Sequence, residues 1–170
     1  TGAFRGGSGE MALLNAASAQ LSNSLGLPSG CGSSMSDAKA PDAQMGMEKA
    51  ITALSCGLAG GNMVYESSGM MASLLGASFE AFVMDDEMLS HVHRVIRGIE
   101  VDEASLGFDS IIAAVTGAGH FIDQPETMVS MERDYYYPKV ADRDEPAVWQ
   151  EQGAKDHWQR ARARVDTLLE

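Results

Sequence analysis

The sequence predicts an α/β fold, namely the C-terminal portion of a TIM (β/α)8 barrel followed by an all-helical tail. The first hundred residues alternate loop, helix, strand, helix, strand and helix, the order produced by parallel strands with right-handed crossover helices. Two such strands are too few to cover the apolar faces of three helices, and the chain opens in mid-pattern without an initiator methionine. Earlier barrel strands are therefore expected outside this sequence. We expect residues 1–100 to be the last βα units of the barrel and residues 101–170 to be a C-terminal helical extension packed on it.

The first predicted element is a helix over residues 9–25, preceded by a glycine-rich loop over residues 1–9. Ser8 is placed to cap this helix, and Gly26 followed by Pro28 is a typical stop signal. Apolar residues recur at spacings of three and four, which predicts one buried stripe. The stripe consists of Leu14, Ala17, Leu21 and Leu25.

A short strand and a second helix come next. Residues 29–36 are too rich in glycine for a helix interior and predict a short strand running into a loop. The next helix starts near Asp42 and runs through about residue 59. Its apolar side chains also share one face, made of Met47, Ile51, Leu54 and Leu58.

The stretch 60–69 is the one around which the predicted fold is organised. Met63 to Tyr65 form an apolar run too short for a helix, after two glycines. Glu66 and two serines then make the chain polar before Gly69. A strand that ends in an aromatic, a carboxylate and a hydroxyl is typical of a site at the mouth of a parallel barrel. The alternative is a plain helix–strand–loop unit whose polar residues only cap the next element of the chain.

The third helix is predicted over residues 79–97. Residues 69–77 before it are small and apolar and predict a helical turn or close-packed loop, and Ser78 can cap the helix. Acidic residues fall early and basic residues late, in agreement with the helix dipole. The predicted buried side carries Phe82, Leu89, Val92 and Ile96. The predicted solvent side carries Asp85, Asp86, Glu87, His93, Arg94 and Arg97.

The final seventy residues predict helices without intervening strands. Asp102 is placed to cap a helix over residues 103–116, and Pro125 suits the first position of a helix through Asp134. Two further helices are expected over residues 145–152 and 155–169. The last one should bury Trp158, Ala161, Val165 and Leu168.

The composition limits the classes of function. A hydrophobic share of 45% indicates a globular chain, and a net charge of −12 argues against binding to nucleic acid or to an anionic membrane. Cys31 and Cys56 have no paired spacing, so neither a disulfide framework nor a zinc site is expected. No apolar run approaches a membrane span and no signal peptide is visible, so we expect a cytoplasmic location.

Asp37, Tyr65 and Glu66 are the first candidate substrate-binding residues. Asp37 and Glu66 each follow a predicted parallel strand and would share one barrel mouth. An aromatic ring next to a carboxylate suits a cation such as a quaternary ammonium. Since side chains alternate along a strand, only one of Tyr65 and Glu66 need face the lumen. Asp37 is equally suited to capping the next helix.

Two weaker candidates come from loops. His120 lies in a Gly-Ala-Gly-His loop whose freedom allows the ring to be aimed at a substrate; packing against the tail is the alternative. Gly6, Gly7 and Ser8 at a helix N-terminus are candidates for holding an anion, such as a cofactor phosphate. No metal ligands are predicted, because the closest histidine pair is two residues apart on a helix and points in two directions.

Five stretches resemble the trimethylamine methyltransferase (MttB) superfamily. They are GEMALLNAA at 9–17, PDAQ at 41–44, GGNMVYESSGM at 60–70, SFE at 78–80 and GAGHF at 117–121. The resemblance implies a TIM barrel and methyl transfer from a methylated amine to the cobalt of a corrinoid (cobalamin) carried on a separate protein. The founding branch uses pyrrolysine. No such residue is identified here, so it lies in the missing part or is replaced. If it is absent, the chain resembles more closely the wider branch acting on quaternary amines such as glycine betaine, proline betaine or carnitine.

Other functions stay open on the sequence. The acidic helical tail is also suited to docking on neighbouring subunits or on the corrinoid protein, and a different TIM-barrel enzyme with catalytic residues on the missing strands is a further alternative. Exposed apolar helix faces predict a homo-oligomer. No tightly bound cofactor is expected in the chain itself, and we expect the isolated 170 residues to be inactive.

Overall fold

The computed structural model describes residues 4–170, so the first three residues of the predicted N-terminal loop lie outside the described residues. The chain forms two compact units. The larger unit contains the residues up to Ile96 together with Pro138–Glu170, and the smaller unit is Arg97–Tyr137. The C-terminal helices thus group with the predicted βα region, whereas the sequence-based division was placed at residue 100.

Helices and short strands alternate along the first part of the chain. The helices are α1 (Gly9–Ser24), α2 (Ala43–Leu58), α3 (Phe79–Arg97), α4 (Phe108–Thr116), α5 (Pro125–Asp134), α6 (Pro146–Glu151) and α7 (His157–Leu169). The strands are β1 (Gly30–Gly32), β2 (Met63–Tyr65), β3 (Met70–Met71) and β4 (Gly76–Ala77). Every helix lies within four or five residues of its predicted bounds, because caps and stop residues are local signals.

The β1 and β2 strands pair in parallel, with α2 as the connection between them. Gly30 lies opposite Met63 and Gly32 lies opposite Tyr65. This confirms the predicted parallel pair joined by a helix. The barrel itself stays a prediction, since the described sheet has these two strands alone.

Residues 69–77 differ from the prediction of a helical turn or loop. β3 and β4 pair antiparallel, with Met70 opposite Ala77. Ala72, Ser73 and Leu74 between them all have positive φ, at 51°, 57° and 68°. Three consecutive left-handed residues reverse the chain in a tight turn. A run of mostly small apolar residues gives no sequence signal for this conformation.

The helix caps follow the sequence closely. The Ser8 hydroxyl accepts from the Met11 amide, and Asp42 accepts from the two amides at the start of α2. Ser78 accepts from the Ala81 amide. The capping roles predicted for Ser8 and Ser78 are confirmed, and these bonds satisfy N–H groups that a helix start otherwise leaves without partners.

The buried faces of α1 and α2 are opposite to those predicted. α1 buries Ala12 and Ala19, while the expected stripe of leucines is exposed. α2 buries Met45, Lys49, Thr52, Ala53 and Cys56. The alanines on the inner side of α1 let this helix approach the sheet closely, so its leucine-rich side is turned away from the sheet.

The predicted solvent side of α3 is partly wrong. Val92 is buried as expected, but Phe82 and Ile96 are exposed, while Asp85 and Glu87 are buried. Both acids bind groups from other parts of the larger unit, which the helical period alone could not show. Glu87 Oε2 accepts from the amides of Lys139 and Val140, and Oε1 accepts from that of Ala141, at 2.6–2.7 Å.

The smaller unit begins with a turn where a helix was predicted. Asp102 and Ser105 exchange hydrogen bonds with each other's backbone amides, and Gly107 has φ of 60°. The predicted start of the helix at 103 is therefore wrong, since the Asp102 side chain closes a separate turn and α4 starts at Phe108. α5, with Pro125 in its first turn, is confirmed.

One core joins the C-terminal helices to the βα region within the larger unit. It combines residues of α2, α3 and α7 with residues of β3 and of connecting segments. These residues are Ala38, Met45, Met71, Ala81, Met84, Val140 and Ala161. On α7, Ala161 and Val165 are buried as predicted, whereas Trp158 and Leu168 are exposed. A second cluster of Ala19, Cys31 and Cys56 packs α1 and α2 against β1.

Candidate functional site

The carboxyl ends of β1 and β2 bring an aromatic ring and a carboxylate to the same place. We call Gly32, Tyr65 and Glu66 the strand-end site. A Cβ atom placed on Gly32 would lie 3.4 Å from Tyr65 Cε2 and 3.6 Å from Glu66 Oε2. The same atom on Gly30 would lie 3.2 Å from the Tyr65 ring. The two glycines of β1 therefore leave room for the Tyr65 ring, and the Glu66 carboxylate lies beside it.

Glu66 reaches this position through an unusual backbone. Its φ is 64°, in the left-handed region that non-glycine residues rarely adopt. Along a regular strand Tyr65 and Glu66 would point to opposite sides. The left-handed residue breaks that alternation, so both side chains lie against Gly32.

A buried ion pair fixes the loop after β2. Lys49 of α2 and Asp85 of α3 are joined at 2.5 Å and are both almost fully buried. Asp85 Oδ2 also accepts from the Gly69 amide at 2.7 Å. Burial raises the pKa of Asp85, which the Lys49 charge and these hydrogen bonds only partly offset. The pair thus connects the loop after β2 to α2 and α3.

Two asparagines hold the strands themselves. Asn15 of α1 donates from Nδ2 to the Gly32 carbonyl at 2.8 Å. At the other end of the strands, Asn62 Oδ1 accepts from the Ser29 amide at 2.8 Å, and the Asn62 amide donates to Ser29 Oγ. Together these bonds lock the β1–β2 register that places Gly32 beside Tyr65.

Asp37 is engaged elsewhere. Its Oδ1 accepts from the Ser73 hydroxyl at 2.9 Å, in the turn between β3 and β4. The capping alternative is wrong, because Asp42 caps α2. The structure therefore places the Asp37 carboxylate in a contact between its own loop and the β3–β4 turn.

The glycines of the N-terminal loop pack against the chain's own side chains. A Cβ atom on Gly6 would lie 2.9 Å from Met35 Cβ, and one on Gly7 would lie 2.4 Å from Glu48 Oε2. The Ser8 hydroxyl is occupied as a helix cap. A carboxylate beside Gly7 repels anions, so internal packing accounts for this glycine pattern better than a phosphate does.

Glu48 connects that loop to the end of β1. Its Oε2 accepts from the Ser36 hydroxyl and the Asp37 amide at 2.7 and 2.8 Å, and Oε1 accepts from the Gln44 side chain. Burial alone would raise the pKa of Glu48, but these hydrogen bonds outweigh it and lower the pKa.

His120 lies in the smaller unit. Its imidazole is about half exposed, and Nδ1 is 3.5 Å from Asp123 Oδ1. The loop over residues 117–121 is as predicted. The described partner of the imidazole is therefore Asp123, three positions further along the chain.

Two serines after β1 were not singled out from the sequence. Ser33 and Ser34 are fully buried, and their hydroxyls have no hydrogen-bond partner among the described residues. The Ser34 backbone has φ of 61°, and its amide donates to the Thr52 hydroxyl. Left-handed residues thus follow both parallel strands, at Ser34 and Glu66. Short polar residues after a strand are the sequence signal for such positions.

Two cavities lie away from the strand-end site. One of about 520 Å³ and one of about 370 Å³ are lined by α2, α3 and the start of α7. Neither is lined by Tyr65, Glu66 or Asp37. Residues 4–170 contain no cluster of three or more His, Cys, Asp or Glu side chains suited to a metal ion. Over the same residues, no helix has the length and apolar character needed to cross a membrane.

Comparison with known proteins gives a consistent family. A family model described as "Trimethylamine methyltransferase (MTTB)" matches residues 1–170. The glycine betaine methyltransferase of Desulfitobacterium hafniense (strain Y51) is 35% identical over 169 residues, covering 99% of this chain and 35% of the relative. The trimethylamine methyltransferase MttB of Methanosarcina thermophila is 38% identical over 151 residues, covering 88% of this chain and 30% of the relative. The chain thus spans about a third of the length of these curated relatives.

Proposed function

The chain belongs to the trimethylamine methyltransferase (MTTB) family, and on this basis we propose that it contributes to methyl transfer from a methylated or quaternary amine to a corrinoid. The amine is of the trimethylamine or glycine betaine type, and the acceptor is the Co(I) corrinoid of a partner protein. In this proposal the chain supplies part of the amine site, and the reaction belongs to the complete enzyme. The names of the relatives support the donor class.

The pairing of Tyr65 and Glu66 at the strand-end site is the observation that carries the proposal. An aromatic ring and a carboxylate beside one glycine are groups suited to a cation that has no N–H to donate. A quaternary ammonium is such a cation. Cation–π contact contributes about 0.5–1 kcal/mol at an exposed site and more once the site is covered.

The chemistry assigns a positioning role to these residues. When the methyl group leaves as a cation equivalent, its bonding electrons stay on nitrogen and the amine becomes neutral. Glu66 therefore stabilises the bound cation more than the departing amine, so it favours binding and orientation rather than lowering the barrier. The Asp37 side chain stays a candidate for contacts to the rest of the substrate, and the role expected of His120 stays a prediction.

Four glycines near the N-terminal loop and the strand ends leave no open space for a corrin ring. The spaces at Gly6, Gly7, Gly32 and Gly69 are filled by the chain's own side chains, among them the Phe82 ring at Gly69. We therefore assign no corrin contact to Gly6, Gly7 or Ser8.

The test is a binding titration on the full-length enzyme. Glycine betaine is compared with its carbon isostere 3,3-dimethylbutanoate, which keeps the carboxylate but lacks the cationic nitrogen, for wild type, Glu66→Gln and Tyr65→Leu. We expect Glu66→Gln to weaken the cation about 5- to 20-fold, which corresponds to roughly 1–2 kcal/mol, with little change for the isostere. Glu151→Gln, an exposed residue of α6, is the charge-matched control. Equal loss for both ligands, or no loss for either variant, would rule out cation recognition at this site.

A further inference from the structure

The loop between β2 and β3 is fixed at both of its ends. β2 stays paired with β1 as far as Tyr65. At the other end, the Gly69 amide donates to Asp85 Oδ2 at 2.7 Å, and the Gly69 carbonyl accepts from the Ser78 amide at 3.3 Å. Residues 66–68 therefore span two anchored points, which leaves their backbone little freedom.

Glu66 depends on these anchors for its position. Among the described hydrogen bonds none involves its side chain, so the backbone is what directs the carboxylate toward Tyr65. That backbone is left-handed, with φ of 64°, a conformation that persists only where the surrounding structure imposes it. A side chain at Gly69 would overlap the Phe82 ring, so the end of the loop is also packed closely on α3. The conformation of Glu66 is thus maintained by the anchor at Gly69.

One buried oxygen carries this anchor. Asp85 Oδ2 accepts from both the Gly69 amide and the Lys49 ammonium, at 2.7 and 2.5 Å. Among the ion pairs that the structure describes, this is the one with both side chains almost fully buried. Replacing a buried ion pair by apolar side chains of similar volume is often neutral or stabilising. Stability therefore does not account for the pair, whereas a fixed position for Gly69 does.

We propose that Lys49 and Asp85 position Glu66 for cation recognition. Lys49 holds the Asp85 carboxylate, and Asp85 in turn holds the Gly69 amide. The loop between Gly69 and Tyr65 then keeps the Glu66 carboxylate beside the aromatic ring. Because Lys49 and Asp85 are buried, they act through the loop rather than by contact with the amine. The pair sets the preference of the strand-end site for a quaternary ammonium over an uncharged group of the same shape, an assignment that rests on the proposed function.

Ligand binding to the full-length enzyme separates positioning from general stability. The readout is the cation selectivity, defined as the dissociation constant of 3,3-dimethylbutanoate divided by that of glycine betaine. Lys49→Met with Asp85→Leu removes the acceptor for the Gly69 amide without leaving a buried charge. It should lower the selectivity about 5- to 20-fold, as Glu66→Gln does. Lys49→Gln with Asp85→Asn keeps an acceptor oxygen at position 85 and should retain the selectivity to within about twofold.

Combination with Glu66→Gln shows whether the pair acts through Glu66. Adding Glu66→Gln to Lys49→Met/Asp85→Leu should lower the selectivity by less than about twofold further, since both changes disable the same group. Asp85→Glu keeps the charge pair but moves the carboxylate by one methylene. It should lower the selectivity at least about threefold, and it serves as the test if the double variant does not fold. Asp86→Glu makes the same change at the exposed neighbouring position and should have no effect.

The outcomes distinguish the positioning role from the proposed function. Unchanged selectivity in Asp85→Glu and in Lys49→Met/Asp85→Leu, with Glu66→Gln impaired, would overturn the positioning role and leave the proposed function standing. Equal weakening of both ligands, or losses that add fully to that of Glu66→Gln, would show a general structural role and overturn it as well. If Glu66→Gln itself keeps the selectivity of wild type, the proposed cation site fails, and the positioning role fails with it.

Discussion

Glu66 has a left-handed backbone conformation although it is not a glycine. A left-handed non-glycine residue costs on the order of 1–2 kcal/mol, and a glycine would remove that cost. Strain of this kind clusters at functional sites. Glu66 also makes no hydrogen bond that would explain its place by stability alone, among those described. Its carboxylate next to the Tyr65 ring is the feature that a glycine would lose, and this supports the proposed cation site.

Glu48 gives a residue-scale prediction about acid stability. Its pKa is lowered in the folded chain, so it favours folding above its unfolded value of about 4.5. That contribution is lost as the pH falls from there through the folded pKa. We expect Glu48→Gln to lower the free energy of unfolding by about 1–2 kcal/mol at pH 7, with a difference that shrinks below pH 4.5.

Urea unfolding from pH 3 to pH 7 measures this effect. Glu151→Gln, on the exposed surface of α6, controls for the change in net charge. A difference between Glu48→Gln and wild type that stays constant across the whole pH range would contradict the linkage.

Apart from the start of α4, helix ends could be predicted from the sequence, whereas the buried faces of α1 and α2 could not. Ser8, Ser78 and Pro125 act within a few residues of their own position, so their roles can be predicted from the neighbouring sequence. Which side of α1 or α2 is buried depends on the elements that pack against the helix, and the spacing of apolar residues alone predicted the wrong side. The buried acids of α3 were missed for the same reason, because their partners are 16 to 54 residues away.

For the strand-end site, too, the local pattern could be predicted from the sequence and the three-dimensional arrangement could not. Tyr65 and Glu66 were placed correctly at the end of a parallel strand, since a short apolar run followed by polar residues is a local pattern. Their convergence on Gly32 was not predicted, because it needs the β1–β2 register and a left-handed backbone at Glu66. The Lys49–Asp85 pair that supports the loop links two helices and left no signal in either one.

At the scale of elements, Glu87 anchors the C-terminal segment to α3. One buried carboxylate accepts three consecutive backbone amides, from Lys139 to Ala141. In Glu87→Gln an amide NH2 replaces one acceptor oxygen and leaves at least one buried N–H without a partner. We expect a loss of roughly 2–3 kcal/mol in the free energy of unfolding and faster hydrogen exchange over residues 138–142.

Hydrogen exchange read by mass spectrometry distinguishes this anchoring from a general loss of stability. Asp86→Asn, at the exposed neighbouring position, should leave the exchange of residues 138–142 unchanged. If Glu87→Gln accelerates exchange equally in α1 and α2, the carboxylate is not a local anchor.

At the scale of the whole molecule, the chain covers the proposed amine site from one side only. β1 and β2 contribute three residues each, and Tyr65 at their end is 46% exposed. The chain also spans about a third of its curated relatives. Methyl transfer requires the donor to be held in line and shielded from water, which one open edge of a two-stranded sheet cannot do. We therefore predict that the 170-residue chain alone does not turn over.

The decisive assay supplies reduced Co(I) corrinoid protein and a panel of methylated amines, and follows the corrinoid absorbance. The full-length enzyme is the positive control and should methylate the corrinoid with at least one amine, while the 170-residue chain should stay at background with all of them. Because folding is checked by circular dichroism on the same samples, silence of the short chain reports on an incomplete site rather than on unfolding. Methylation by the 170-residue chain above background would show that the strand-end site suffices for catalysis, and it would overturn the view that other strands complete it.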